Sequence, residues 1–186
     1  MNNCYLDAEA VITFFRMTGR KHIFITGSRG SGKSHLVNNM LKHMSDSFNL
    51  LQSHRTDTPQ VVIKSNLIAD NKEFLIGVPR TSGINPASKG NNMTIIEDGF
   101  INCAIPAIDT HLDTTPERLF VIDELGYLES SCIPFQKAVE KLLDNSHVLA
   151  VIRKQSTEFL NRICNRKDVL VIDIDSTFET LSCIIM

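Results

Sequence analysis

Between His22 and Ser34 the chain reads HIFITGSRGSGKS. A short apolar run, Ile23-Phe24-Ile25, passes directly into Gly27-x-x-x-x-Gly32-Lys33-Ser34. That spacing belongs to a loop that wraps a phosphate group. Gly27, Gly30 and Gly32 admit backbone turns closed to other residues. The main-chain N–H groups of the stretch Gly27, Ser28, Arg29, Gly30, Ser31, Gly32, Lys33 and Ser34 can then converge on one anion. Lys33 adds a point charge for the β- and γ-phosphates of a nucleotide, and the Ser34 hydroxyl can ligate Mg²⁺.

A second group of chemically capable residues lies about ninety positions on. Leu119-Phe120-Val121-Ile122 is a continuous apolar run closed by Asp123-Glu124, the pattern of a strand buried on both faces of a parallel sheet. At the end of such a strand Asp123 can hold the magnesium shell opposite Ser34. Glu124 then offers a second carboxylate near the γ-phosphate, able to orient or deprotonate an attacking water. Glu129, a few residues on, could line the same cleft, but a solvated charge at a helix entry is the favoured reading. The next apolar run, Val148 to Ile152, ends at Arg153-Lys154. Arg153 is a candidate for stabilising transition-state charge if that strand lies between the loop strand and the Asp-Glu strand. A surface basic pair is the competing reading. Arg162, Arg166 and Lys167 need no chemistry: they suit the negative end of a helix.

These residues need a scaffold that brings strand ends together, and the periodicities supply one. Leu36, Val37, Met40, Leu41 and Met44 have helical spacing, so a strand enters the loop and a helix leaves it, adding its N-terminal partial charge. Residues 5 to 17 form a leader helix with Leu6, Ala10, Val11, Phe14 and Phe15 on one stripe, ended by Gly19. Ser45 to Pro59 is polar and turn-rich and predicts no element. Val61 to Ile63, Phe74 to Val78 and Met93 to Ile96 read as strands, the last two as a hairpin whose long tip, Pro79 to Asn92, carries Arg80 and Lys89. That tip is either a lid over substrate or a surface loop without chemistry.

Phe100 to Leu112 reads as helical, capped by Asp98 and kinked or broken by Pro106. Ser130 or Ser131 is placed to cap a helix bearing Phe135, Ala138, Val139, Leu142 and Leu143, with Pro134 in its first turn. A short helix carries Phe159, Leu160, Ile163 and Cys164. Val169 to Ile174 is the last strand, and Ser176-x-x-Glu179 is a capping box for a closing helix with Phe178, Leu181 and Ile185. Strands alternating with helices specify a mostly parallel sheet with helices on both faces and the ligand outside the carboxyl ends of the strands.

The 186 residues fit a single domain, with 1–20 as leader helix and 64–100 as a hairpin insertion. A formal net charge of −2 gives no reason to expect a nucleic-acid or membrane surface. No basic-then-apolar signal arrangement and no run of membrane-spanning length is visible. The five cysteines, Cys4, Cys103, Cys132, Cys164 and Cys183, are odd in number and never in C-x-x-C spacing, which suits reduced thiols in a cytoplasmic protein. The six histidines lack paired ligand spacing, so zinc is not expected.

Taken together, ITGSRGSGKSHLV (residues 25–37), VIDELGYLESSCIPFQKAVEKLL (residues 121–143) and VLAVIRK followed by a helix and a last strand resemble the THEP1-type nucleoside-triphosphatases. These belong to the additional-strand, catalytic-glutamate division of phosphate-loop enzymes. The resemblance implies an α/β, three-layer P-loop NTPase fold. It also implies Mg²⁺-dependent hydrolysis of nucleoside triphosphates, ATP and GTP alike, to diphosphate and phosphate. Phosphate binding then falls on Gly27 to Ser34, the metal carboxylate on Asp123 and the base on Glu124. Leu67 to Asn92 departs from the glycine- and arginine-rich stretch usual in that family, and the leader helix is an addition to its pattern.

Two other classes share the loop: a small-molecule kinase of nucleoside or nucleotide type, and a nucleotide-gated assembly module with slow hydrolysis and a protein partner. Asp123-Glu-Leu-Gly126 also spells D-x-x-G, and Asn165-Arg-Lys-Asp168 resembles a guanine-reading N-K-x-D. The latter precedes a strand instead of leaving one, so no strong guanine preference is expected.

Overall fold

A computed structural model describes residues 7–44, 47–80 and 93–176. The fate of Leu6, the 81–92 part of the hairpin tip with Lys89, Cys4, Cys183 and the closing helix after Ser176 lies outside these residues.

The described strands form one eight-stranded sheet in the order β5-β4-β3-β2-β6-β7-β1-β8. The strands are β1 (His22–Thr26), β2 (Phe48–Arg55), β3 (Val61–Ser65), β4 (Phe74–Pro79), β5 (Met93–Ile95), β6 (Leu119–Leu125), β7 (His147–Ile152) and β8 (Val169–Asp173). From β2 through β8 all neighbours run parallel, while β3, β4 and β5 extend the sheet antiparallel. The sheet is therefore mixed, and the β4–β5 hairpin is its far edge. Among the described residues β2 is the one strand the sequence does not announce: it occupies the middle of the stretch from Ser45 to Pro59.

Alternation along the parallel strands divides the core into two layers, because successive side chains leave opposite faces of a strand. Ile23, Ile25, Val121, Leu149, Val151 and Ile172 meet α1 (Ala8–Thr18) and α2 (Lys33–Met44) through Val11, Ile12, Leu36, Val37 and Met40. Phe24, Phe120, Ile122, Val148 and Ala150 face the opposite way. They are covered by α4 (Ile105–Thr114), α5 (Ile133–Asn145) and α6 (Glu158–Cys164), which contribute Ile108, Phe135, Val139, Leu142, Phe159 and Ile163. Each such Val, Leu, Ile, Met or Phe side chain, fully buried, contributes about 1.5–3 kcal/mol. The leader helix thus lies against the phosphate-loop helix over one face of the sheet, with Gly19 closing it in the left-handed conformation at φ 63°.

Two of the local capping expectations are corrected, and the interruption near Pro106 takes a definite form. Asp98 is no cap: the helical stretch opens with a one-turn α3 (Glu97–Gly99) that places Asp98 inside it. Pro106 stands at the second residue of α4, directly after a π turn over Phe100–Ala104, so the regular α hydrogen-bond pattern is interrupted where a proline interrupts it. Neither Ser130 nor Ser131 caps α5. Their hydroxyls donate to the carbonyls of Gly126 and Tyr127, and Cys132 stands at the cap position without a side-chain bond. Pro134 does occupy the first turn.

Candidate active site

The C-terminal ends of β1, β7, β6 and β2 lie side by side in that order, and each delivers part of the site. From β1 the chain enters the glycine loop. Gly27, Gly30 and Gly32 have φ of 153°, 79° and 93°, values that L side chains rarely adopt. Gly27 is closed to a side chain for a second reason: a Cβ there would lie 2.7 Å from Ile174 Cγ1. The turn is held by Ser31 N–H on the Ser28 carbonyl at 3.2 Å. Lys33 reaches back across it, its Nζ 3.0 Å from the Gly27 carbonyl and 2.8 Å from that of Ser28.

From β6 come Asp123 and Glu124. Consecutive strand residues ordinarily face opposite ways, yet both line one cavity. The β6–β7 register shifts between Asp123 and Leu125, and an irregularity of this kind re-aims side chains at a strand end. Asp123 accepts hydrogen bonds from the side chains of Ser34 and Gln52. Burial first, then the Glu124 charge, pushes its carboxyl above the ordinary range. Gln52 stands beside Asp123 in the β2–β6 register.

From β7, which does lie between the loop strand and the Asp-Glu strand, come Arg153 and Lys154. Arg153 Nε donates to Glu124 Oε1 at 2.5 Å, and its main-chain N–H to the Leu125 carbonyl at 2.8 Å. Lys154 turns to the other side and pairs with Asp173 at 2.8 Å and Asp175 at 3.0 Å. Asp175 in turn accepts from the Ser28 main-chain N–H at 2.7 Å and its hydroxyl at 3.0 Å. The Lys154 bond, then the Ser28 amide, hold the Asp175 carboxyl below its usual range. The end of β8 is thereby tied to the glycine loop.

Glu129 is no solvated charge but lines the smaller cavity at the cleft. It is 5% exposed, and its Oε2 accepts the Gly126 main-chain N–H at 2.9 Å from within the 3-10 turn Glu129–Ser131. Desolvation raises its carboxyl to about 7. Arg162 and Arg166, by contrast, keep to surface roles, pairing with Glu140 at 2.6 Å and with Asp144 and Asp168 at 2.9 and 2.8 Å. Asp168 precedes β8, at the opposite end of the sheet from the loop.

Two cavities adjoin at these strand ends. The larger, about 880 Å³, is lined by the glycine loop together with Arg29, Lys33, Lys154 and Gln155. The smaller, about 280 Å³, is lined by Gln52, His54, Asp123, Tyr127 and Glu129. Ser34, Arg55, Glu124 and Arg153 face both. Gln52, Arg55 and Asp175 escaped sequence reasoning. The only signal for Asp175 was the acidic alternation Asp173-Ile-Asp175 at the end of the last strand.

A glycine loop between a strand and a helix, with an acidic pair two strands away across an inserted strand, defines a phosphate-loop nucleotide enzyme. The chain belongs to the NTPase family, whose description it matches over residues 22–179. The nucleoside-triphosphatase THEP1 of Thermotoga sp. (strain RQ2) is 26% identical over 155 residues, covering 82% of this chain and 86% of that protein. Among solved structures, THEP1 from the hyperthermophile Aquifex aeolicus aligns with a TM-score of 0.65 at 17% identity, over 89% of this chain and 96% of that one. A human cancer-related nucleoside triphosphatase aligns at 0.59 and 20% identity, over 89% and 95%. At these identities the two structures support the fold, α/β with helices around a mixed sheet. The family makes the chain a nucleoside-triphosphate hydrolase.

Proposed function

We propose that this protein hydrolyses nucleoside triphosphates to diphosphate and phosphate by water attack on the γ-phosphate, with Mg²⁺. The observation that carries the mechanism is the shared orientation of Asp123 and Glu124 toward the cavity that Ser34 also lines. Ser34 and Asp123 fit magnesium: a hydroxyl and a half-buried carboxylate already in contact are hard oxygen donors suited to that ion. Bound there, magnesium would neutralise charge on the β- and γ-phosphate oxygens.

The chain's own residues do the rest. The glycine loop and Lys33 hold the triphosphate by main-chain N–H groups and one ammonium. Glu124 orients the attacking water and takes its proton as the water oxygen bonds to the γ-phosphorus and the bridge to the β-phosphate breaks. Arg153 keeps the Glu124 carboxylate directed at the cleft, and its guanidinium is placed to meet negative charge gathering on the γ-phosphoryl oxygens.

Turnover of ATP and GTP at similar rates is the expectation, because Asn165 to Asp168 lies at the far end of β8. Free buried thiols at Cys103 and Cys132 suit a cytoplasmic setting, and among the described residues no helix is long and apolar enough to cross a membrane. The test is phosphate release from a nucleotide panel by the purified chain, with and without Mg²⁺. Release that requires Mg²⁺ and no added acceptor supports hydrolysis; transfer only to an added hydroxyl compound would make the protein a kinase instead.

A further inference from the structure

Strand order turns the site into a line. The glycine loop follows β1, Arg153 ends β7, Asp123 and Glu124 end β6, and Gln52 to Arg55 end β2. The larger cavity occupies the loop end of this line and the smaller one the β2 end, with Ser34, Arg55, Glu124 and Arg153 at the boundary between them. The smaller chamber therefore adjoins the glycine-loop cavity on its β2 side.

The cations along the line are not equivalent. Lys33 is bonded to loop carbonyls, Arg153 to Glu124, and Lys154 to Asp173 and Asp175. Arg55 lines both cavities, and among the described residues its guanidinium has no hydrogen bond or ion pair. Its charge, with those of Arg153 and Arg80, is felt by the Tyr127 phenol on the chamber wall. His54 beside it is held by Glu73 at 3.2 Å. Three carboxyls also face the chamber. Glu124 is matched by Arg153, Glu129 is buried on the Gly126 amide, and Asp123 takes hydrogen bonds from Ser34 and Gln52. The volume, about 280 Å³, admits a small anion with part of its hydration shell, at ~30 Å³ per water.

We propose that this chamber is an oxyanion site, in which Arg55 receives the inorganic phosphate split from the nucleotide while the diphosphate still occupies the glycine loop. The proposal rests on the hydrolytic reading above. It gives the phosphate a way out on the side of the sheet away from the loop, and it assigns a task to a guanidinium that the hydrolytic step leaves unused.

The experiment is calorimetric titration of inorganic phosphate into the full chain saturated with ADP and Mg²⁺. Phosphate should bind this complex. Arg55→Ala should weaken that binding roughly 10- to 100-fold, the loss expected for hydrogen bonds to a charged group, a larger loss than it causes in ADP affinity, and Arg55→Lys should recover part of it. Phosphate binding that disappears on ADP saturation would place the anion in the glycine loop and overturn the proposal. So would wild-type phosphate affinity in Arg55→Ala. If Arg55→Ala fails to fold, the wild-type competition between phosphate and ADP decides alone. ATP turnover by the wild-type chain, measured separately, reports on the hydrolytic reading: phosphate bound beside ADP without ATP turnover would leave the site standing and remove its source.

Discussion

Arg153 Nε lies 2.5 Å from Glu124 Oε1, so the cation at the end of β7 and the second acid at the end of β6 form a single unit across neighbouring strands. The pair does two things at once: it fixes the Glu124 carboxylate at the boundary of the two cavities and holds the Arg153 guanidinium at the same place.

Arg153→Ala should therefore lower turnover by about 10²–10³-fold, the scale of losing a transition-state donor, with nucleotide affinity little changed. Arg153→Lys should rescue poorly, since an ammonium lacks the planar fork. Single-turnover rates beside equilibrium nucleotide binding check both. Equal loss of binding and turnover would mean that Arg153 acts on the ground state.

Lys33→Ala should remove nucleotide binding, because the Nζ that spans the loop carbonyls of Gly27 and Ser28 is the loop's only side-chain ammonium. Fluorescent-nucleotide titration reads the outcome. Retained affinity would show that the main-chain amides suffice.

Glu129 makes a pH prediction. Burial raises its carboxyl from 4.5 to about 7 in the folded chain. The folded state therefore holds a proton that the unfolded chain gives up above the ordinary value. The associated stability is complete below about pH 4.5 and is lost as pH rises through about 7. Glu129→Gln keeps an acceptor for the Gly126 amide without a charge, so it should gain about 2 kcal/mol relative to wild type between pH 5 and pH 8. Urea denaturation of both chains at the two pH values measures the difference. Parallel pH profiles would contradict it.

Gly99 sits where α3 presses on β4: a Cβ there would lie 2.3 Å from the Leu75 carbonyl oxygen. Gly99→Ala should destabilise the chain by about 1–3 kcal/mol, as overpacking does. Thermal unfolding tests it, and an unchanged melting temperature would show that the hairpin edge yields freely.

What the sequence disclosed follows from how each signal is generated. The loop was legible because its glycines, lysine and serine are contiguous, and β6 and β7 because strands buried on both faces show as unbroken apolar runs. The strand β2 was not legible. Leu51 is buried, but Gln52 to Arg55 are polar because they face the site, and that polarity hid a central strand inside an apparent loop. Glu129 was misread for the converse reason. Its amide partner at Gly126 is supplied by the fold of the turn, and nothing in the residue types of the stretch reveals it. The link from Lys154 through Asp175 to Ser28 joins residues more than a hundred positions apart, which no local pattern can show.

Glu124→Gln carries the account. Phosphate release and nucleotide affinity should be measured side by side on the wild-type and variant chains with ATP and Mg²⁺. The variant should bind ATP as the wild type does and lose turnover by about 10²–10⁴-fold, the contribution of a general base. Hydrolysis by Glu124→Gln at the wild-type rate would contradict the assignment of Glu124 as the group that activates water.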